Sequence, residues 1–407
     1  YFDGSGGAAV SCLGHGDPDV IKAVQDQTSK MAFAHTGFFS SDPAEELAEL
    51  LIDNAPGELD RVYFVSGGSE AIEAAIKLAR QFHIENGEPS RHHIIARKQS
   101  YHGNTLGALA AGGNKWRRNQ FEPILIDVSH ISPCYEYVDK LKEETSFDYG
   151  QRVAQELEDE ILRLGTDKVM AFIVEPVVGA TMGAVPAVPG YFKKVRNICN
   201  KYGVLLILDE VMCGMGRTGH LFASEFDEIA PDILCIAKGL GAGYQPIGAM
   251  LCSKDIYDRL GKGSGFFQHG HTYMGHPVAC AAGLAVLKAI LNRKLLSSIN
   301  NKSNQLFNCL KTQLEHPNIG DIRGRGLFIG IEIVKNIETK KPFDPNLKVA
   351  ASIKNAAFEA GLICYPMSGT RDGKWGDHIL LAPPFILNEN QIIELVNKLS
   401  IAIESVK

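Results

Sequence analysis

A mainly parallel α/β sheet is the fold class this sequence predicts, and three observations predict it. From about Leu59 to about Leu291 short apolar runs alternate with helical patterns, as in a sheet covered by helices. The runs themselves suit strands buried on both faces. After about Lys302 the chain changes to helix, strand, helix, short extended piece and helix, which predicts a second, compact α+β domain. The expected division is a large domain over residues 31–300 and a smaller one formed by both chain ends, 1–30 and 301–407.

In order along the chain, the N-terminal GSGGAAVSCLGHG is too glycine-rich for a core helix. RVYFVSG reads as the first buried strand. SEAIEAAIKLARQF follows it as a helix, with Ile72, Ala75, Ile76 and Ala79 on one face. HHIIAR and VMAFIVEP are the next strands. PGYFKKVRNICNKYG is a helix with proline near its start and Gly203 after its end. VLLILDEV, DILCIAKG and IGAMLCS complete the strands, and HPVACAAGLAVLKAI is a long, alanine-rich buried helix. In the last part NQLFNCLKTQLE and VAASIKNAAFEAG read as helices and LFIGIEIV as a strand. Pro383-Pro384 in HILLAPPFI marks a rigid extended turn.

Bulk properties exclude several classes of function. With 45% hydrophobic and 22% charged residues the chain is globular, and no apolar run approaches the roughly 20 residues of a membrane span. A net charge of −6 provides no positive field for nucleic acid. The nine cysteines are scattered without zinc spacing, which predicts reduced thiols and a cytoplasmic or similar reducing compartment. The sequence starts at Tyr1 and not at Met, so a targeting segment upstream stays open.

The stretch LDEVMCGMGRTG, Leu208 to Gly219, admits three chemistries. A P-loop NTPase reading needs GxxxxGK[ST] after an earlier strand, and no such run exists. A dinucleotide reading needs its glycine loop directly at a strand-to-helix turn, with an acidic residue about 20 positions on. Neither is present, so a loop shaped for close backbone packing is the better reading of GMGRTG. A pyridine-cofactor reading needs a lysine for a Schiff base, a phosphate cradle and an aromatic face. Lys238 closes DILCIAKG, where a desolvated ammonium is costly without a purpose. SGGSEA sits between strand and helix, so the amides of Gly68 and Ser69 and the Ser69 hydroxyl suit a phosphate. Tyr101 in SYHGNT offers a flat face. Asp209 would keep a pyridine nitrogen protonated, making the ring an electron sink. Each element alone has a bland reading; together, in order at strand ends, they favour the third chemistry.

With these motifs in view, the chain resembles the class III, or omega-, aminotransferases of the pyridoxal-phosphate fold type I, the aspartate-aminotransferase-like group. The resemblance rests on SGGSEAIEAAIKLAR, SYHG, VEP, LILDEVMCGMGRTG, DILCIAKGLGAGYQPIGAML and HGHTYMGHPVACAAGLAVL and covers nearly the whole chain. It implies pyridoxal 5'-phosphate held through Lys238, with Asp209 at the ring nitrogen, Gly68 and Ser69 at the phosphate, and Tyr101 on one ring face. Val211, expected on the same strand face as Asp209, would pack on the other. A homodimer with active sites at the interface is implied, with Thr272 reaching the partner's cofactor phosphate; as a plain sequence feature Thr272 also suits a helix start. Glu175 in VEP is implied to be an acid near the cofactor's 3-oxygen. The reaction implied is transfer of an amino group from an amine, or a beta- or omega-amino acid, to a keto acid such as pyruvate by a ping-pong mechanism.

The substrate side departs from the pattern. Members acting on ornithine or GABA-like donors commonly carry a second glutamate where this chain has Ala180, which moves the expectation to the taurine–, beta-alanine– and amine–pyruvate branch. Arg371 in SGTRDGKWGDHILLAPPF is the candidate carboxylate anchor. A solvent-facing turn arginine explains the same residue equally well. Arg323 and Arg325 are alternatives that also suit small-domain structure. Phe38 and Phe39 fit either an aromatic wall over the substrate or packing between subunits, and Trp375 and Tyr244 are weaker candidates for such a wall. Decarboxylating transamination of a dialkyl amino acid would use the same cofactor residues. A silent binding homologue would have no need of Lys238.

Overall fold

A computed structural model describes residues 1–406 of the chain; Lys407, the end of the expected C-terminal unit, lies outside the described residues. The strands, in order, are β1 (Phe2–Asp3), β2 (Leu59–Val65), β3 (His93–Arg97), β4 (Val128–Ile131), β5 (Val169–Val174), β6 (Val177–Val178), β7 (Val185–Pro186), β8 (Leu205–Asp209), β9 (Ile233–Ile236), β10 (Gly248–Ser253), β11 (Ile319–Arg325), β12 (Phe328–Ile333), β13 (Leu362–Ile363), β14 (Tyr365–Ser368) and β15 (Asp377–Leu381). The main sheet has the order β2-β10-β9-β8-β5-β3-β4. Only β10 runs against its neighbours; the other pairings are parallel, as the apolar runs predict.

Alternation along the strands divides their side chains between two cores. Ile94, Ala96, Ala171, Ile173 and Ile207 pack with Ala71, Ile72, Ala75 and Ala79 of the helix Gly68–Glu85. Ile95, Phe172, Val174, Leu206 and Leu208 face the opposite way, against the helices Ser146–Leu164 and Tyr191–Tyr202. Each large aliphatic side chain so buried stabilises the fold by about 1.5–3 kcal/mol. The period of two, with both faces covered, is why these strands read as continuous apolar runs. The helix Tyr191–Tyr202 ends at Gly203, whose φ of +63° is the left-handed cap foreseen for a glycine there.

A four-stranded antiparallel sheet, β11-β12-β15-β14, organises the C-terminal part, with helices Leu295–Gln313, Val349–Glu359 and Glu389–Ile403 around it. β1 pairs with β13 in parallel, Phe2 opposite Leu362, whereas the next helix, Pro18–Lys30, packs on the buried alanine-rich helix Pro277–Asn292. Between them Gly6, Gly7, Ala8 and Ala9 form one left-handed turn, with φ between 54° and 68°. Alanine in that conformation costs about 1–2 kcal/mol per residue, so surrounding contacts must hold it. No helix among the described residues is long and apolar enough to cross a membrane.

Because β2, β3, β5, β8 and β9 run parallel, their carboxyl ends lie along one edge. The strand ends and the segments that follow them carry residues 67–69, Tyr101, Glu175, Asp209 and Lys238 to the same place, the usual ligand position of an open α/β sheet.

Candidate active site

A cavity of about 450 Å³ opens at that edge, and its wall contains Gly68, Ser69, Tyr101, Glu175, Asp209, Val211 and Lys238. Seven of the residues singled out from sequence are thus brought together. The helix Gly68–Glu85 points its N-terminus at the cavity, and no side chain caps its first turn. Its leading N–H groups therefore have no partner within the helix and present partial positive charge to the space. Two close backbone approaches shape this end. A β-carbon on Gly68 would meet Val211 Cγ1 at 2.7 Å, and one on Gly103, whose φ is +136°, would meet Ser69 Cα at 2.8 Å. Ser66, Gly67 and Gly103 complete this end of the wall.

Asp209 ends β8 and is 4% exposed. One carboxylate oxygen, Oδ2, lies 2.8 Å from His102 Nδ1, and the other accepts the Val211 N–H at 3.0 Å. A carboxylate accepts only, so His102 carries a proton on Nδ1. Its Nε2 is buried and, among the described residues, without a partner. Glu175 is also buried: its Oε1 accepts weakly from the Gly179 N–H at 3.4 Å, and Oε2 has no partner among the described residues. Burial pushes the Glu175 carboxyl well above the usual carboxylate range, with nearby Asp209 adding to the effect and His102 and Arg97 opposing it.

Lys238 differs in detail from its sequence reading. β9 stops at Ile236, and Lys238 opens a short 3-10 turn, Lys238–Leu240, with a left-handed φ of +43°. A strained conformation at a non-glycine residue is characteristic of sites where side-chain direction is imposed. Burial lowers its pKa below the ordinary lysine range, while Asp209 and Glu175 act in the opposite sense. Val211 is likewise not on the strand. β8 ends two residues earlier, and a turn closed by the Asp209–Val211 bond carries the side chain to the cavity. Tyr101 is half-buried, and the Arg117 guanidinium stacks 4.6 Å above its ring.

The remaining candidates lie elsewhere. Arg371 does not reach the cavity: its loop folds back through the Arg371 N–H to Trp375 O bond, and its guanidinium bonds Lys340 O. Thr272 is exposed, and Phe38 and Phe39 are 82% and 67% exposed, all three away from this wall. Arg323 holds the Met182 and Gly183 carbonyls and Glu332, and Arg325 pairs with Asp227, so both serve the packing of the smaller sheet. Tyr244 is similarly engaged, its hydroxyl accepting from the Asp17 N–H. GMGRTG is the close-packed loop expected: Arg217 is buried and donates to Leu327 O and Pro383 O. Sequence reasoning missed His102, although YHG was in plain view, and missed the apolar wall of Val10, Val177 and Met212.

These residues fit a phosphorylated pyridine aldehyde. The uncapped helix end suits a dianionic phosphate, the buried Asp209 a pyridinium nitrogen, and the Lys238 amine an aldehyde carbon. The unpartnered Glu175 Oε2 and His102 Nε2 leave polar capacity for a bound group.

Comparison with known proteins agrees. Residues 1–403 match the family model described as aminotransferase class-III. An uncharacterised aminotransferase of Schizosaccharomyces pombe is 47% identical over 406 residues, 99% of this chain and 88% of its own. An uncharacterised aminotransferase of Bacillus subtilis is 38% identical over 408 residues, 100% of this chain and 91% of its own. The solved structure of a thermostable (S)-enantioselective omega-transaminase from Thermomicrobium roseum superposes with a TM-score of 0.93 at 35% identity, covering 99% of this chain and 88% of that one.

Proposed function

The chain belongs to the class III aminotransferases, pyridoxal-phosphate enzymes of fold type I, and on that premise we propose that it moves an amino group from an amine, or a beta- or omega-amino acid, to a keto acid such as pyruvate. The observation that carries the proposal is the meeting of Lys238, Asp209 and the uncapped helix end in one cavity. When bound, the cofactor supplies an electron sink and carries the amino group between donor and acceptor.

The protein's own residues do the rest. Gly68 and Ser69 bind the phosphate through backbone N–H groups, and Tyr101 and Val211 enclose the ring. Asp209 holds the proton on the ring nitrogen; His102 and the Val211 N–H fix both its oxygens, so it is oriented before the cofactor arrives. Lys238 Nζ would act as general base and acid, moving a proton from the donor's amine-bearing carbon to the carbon of the bound cofactor that receives the amino group, and in the opposite sense for the acceptor. Burial assists, because it favours the neutral amine, which is the base. Glu175, also in the cavity wall, would be the acid near the cofactor's 3-oxygen. Donor and acceptor use the cavity in turn, so ping-pong kinetics are expected.

A second copy completes the proposal. Phe33, Phe38, Phe39, Phe266 and Tyr273 are exposed on two neighbouring segments, which supports a face covered by an identical subunit. Thr272, Phe38 and Phe39 would then serve the partner's cavity. Nine unpaired cysteines fit a reducing compartment such as the cytoplasm. Ala180 and the named omega-transaminase neighbour support an amine–pyruvate type of substrate pair.

The test is the absorbance of the purified protein with pyridoxal phosphate, before and after a panel of amines without acceptor. A yellow band bleached by one class of amine and restored by pyruvate is the expected result. A protein that stays colourless would overturn the proposal.

A further inference from the structure

Gln99 lies outside the cavity, yet three features set it apart. It is 2% exposed, has a left-handed φ of +62°, and spends its whole side chain on other segments. Its Nε2 donates to Gly369 O at 2.6 Å and Thr370 O at 3.0 Å, in the loop between β14 and β15. Two carbonyl partners require the amide nitrogen on that side, which fixes the side-chain orientation. Oε1 accepts from Asn114 Nδ2 at 3.2 Å. Asn114 in turn accepts the Arg117 N–H at 3.2 Å, and Arg117 stacks on Tyr101, two residues beyond Gln99 itself. The path returns to the ring that lines the cavity.

A second path closes on the Gln99 backbone. Its carbonyl accepts from Thr181 Oγ1, next to Ala180, whose carbonyl bonds His378 Nε2 at 3.0 Å. His378 Nδ1 lies 2.8 Å from Thr370 Oγ1, on the residue whose carbonyl Gln99 holds. Since Nε2 faces a carbonyl it carries the hydrogen, and Nδ1 accepts from the threonine. A turn alone would be served better by glycine or asparagine, which tolerate positive φ. The length of glutamine is needed only to span from the end of β3 to the small sheet.

We propose that Gln99 is a positioning residue that ties the cavity face of Tyr101, through Asn114 and Arg117, to the loop Gly369–Gly376 of the C-terminal sheet. Retention of the cofactor thereby depends on contacts made by a separate part of the fold. The inference rests on the reading that the cavity holds pyridoxal phosphate with Tyr101 against its ring.

The experiment measures the rate at which holoenzyme loses cofactor on dilution, followed by absorbance. Four proteins are compared: wild type, Gln99→Met, Tyr101→Leu and the double variant. Gln99→Met keeps length and removes every side-chain hydrogen bond, and should speed loss about tenfold. In the Tyr101→Leu background it should add less than about twofold, because residues acting through one another are not additive. Wild-type loss in Gln99→Met would overturn the inference. So would effects that multiply in the double variant, the sign of general loosening. If Gln99→Met does not fold, Asn114→Ala breaks the same link and is judged by the same cycle. A wild-type protein that never takes up cofactor would refute the functional reading and this inference with it, a result distinct from the others.

Discussion

Replacing Gly103 by alanine tests how tightly the phosphate end of the cavity is built. Gly103 has φ of +136°, which L side chains rarely adopt, and an added β-carbon would lie 2.6 Å from Ser69 Oγ, 2.8 Å from Ser69 Cα and 2.9 Å from Ser69 Cβ. Ordinary van der Waals separation begins at 3.4 Å, so Ser69 would have to move by several tenths of an ångström. It cannot turn aside, because its backbone lies in the helix Gly68–Glu85 and its hydroxyl accepts the Asn104 N–H at 3.1 Å. Strain at the backbone costs about 1–3 kcal/mol and overpacking about as much again, together roughly 2–6 kcal/mol. Gly103→Ala should therefore lower the Tm by several degrees and also weaken cofactor binding, since the displaced residue is the proposed phosphate ligand. Adding Ser69→Gly takes away the clashing side chain but leaves the backbone clash and the strain, so it should restore stability in part. The assays are thermal unfolding of the apo protein and a cofactor titration by absorbance. A Gly103→Ala protein with wild-type Tm and wild-type cofactor affinity would refute the reasoning.

Other perturbations probe the chemistry. Asp209→Asn keeps an acceptor for His102 but removes the charge that holds the ring proton; turnover should fall by about two orders of magnitude or more with little change in Tm. Lys238→Ala should abolish turnover, as judged by steady-state assay, while a cofactor–amine adduct still binds by absorbance. Full burial pushes the Glu210 carboxyl up to about 7 from an ordinary 4.5, although the Ala223 and Ser224 N–H groups it accepts act in the opposite sense. The folded state then keeps a proton that the unfolded chain has lost, so this group's stabilisation is complete below about 4.5 and disappears as pH rises through about 7. The loss is up to about 3 kcal/mol. Glu210→Gln, neutral at every pH, should show a smaller fall in Tm between pH 5 and pH 8 than the wild type, whatever its absolute stability.

The large sheet was legible because β3, β5, β8, β9 and β10 are buried almost throughout and read as apolar runs, while the edge strand β2, only partly buried, keeps an apolar end in residues 62–65. β4 was not: in Val128–Ile131 only the two end residues are buried, and the middle pair, Ser129 and His130, break the run. The residues that meet in the cavity were legible because parallel strands place their carboxyl ends together, which makes position after a strand informative. His102 was not, because its meaning depends on Asp209, 107 residues away, and that pairing comes from strand order. Val211 was read from a strand periodicity that ends at Asp209, and it reaches the cavity wall through the turn after the strand instead. Arg371 lies away from the cavity wall because a loop with glycines at 369, 373 and 376 sets its own path, and no periodicity in sequence reports where its guanidinium turns. Gln99 carried no signal in sequence: its left-handed backbone and its reach to Gly369 exist only in the folded chain.

The central claim is that Lys238 is the residue that takes hold of the cofactor. The most direct measurement is borohydride reduction of the protein loaded with pyridoxal phosphate, followed by mass spectrometry of its peptides. The account predicts one reduced phosphopyridoxyl group, on the peptide containing Lys238. Attachment at another lysine, or an unmodified Lys238 in a protein that has turned yellow, would contradict it.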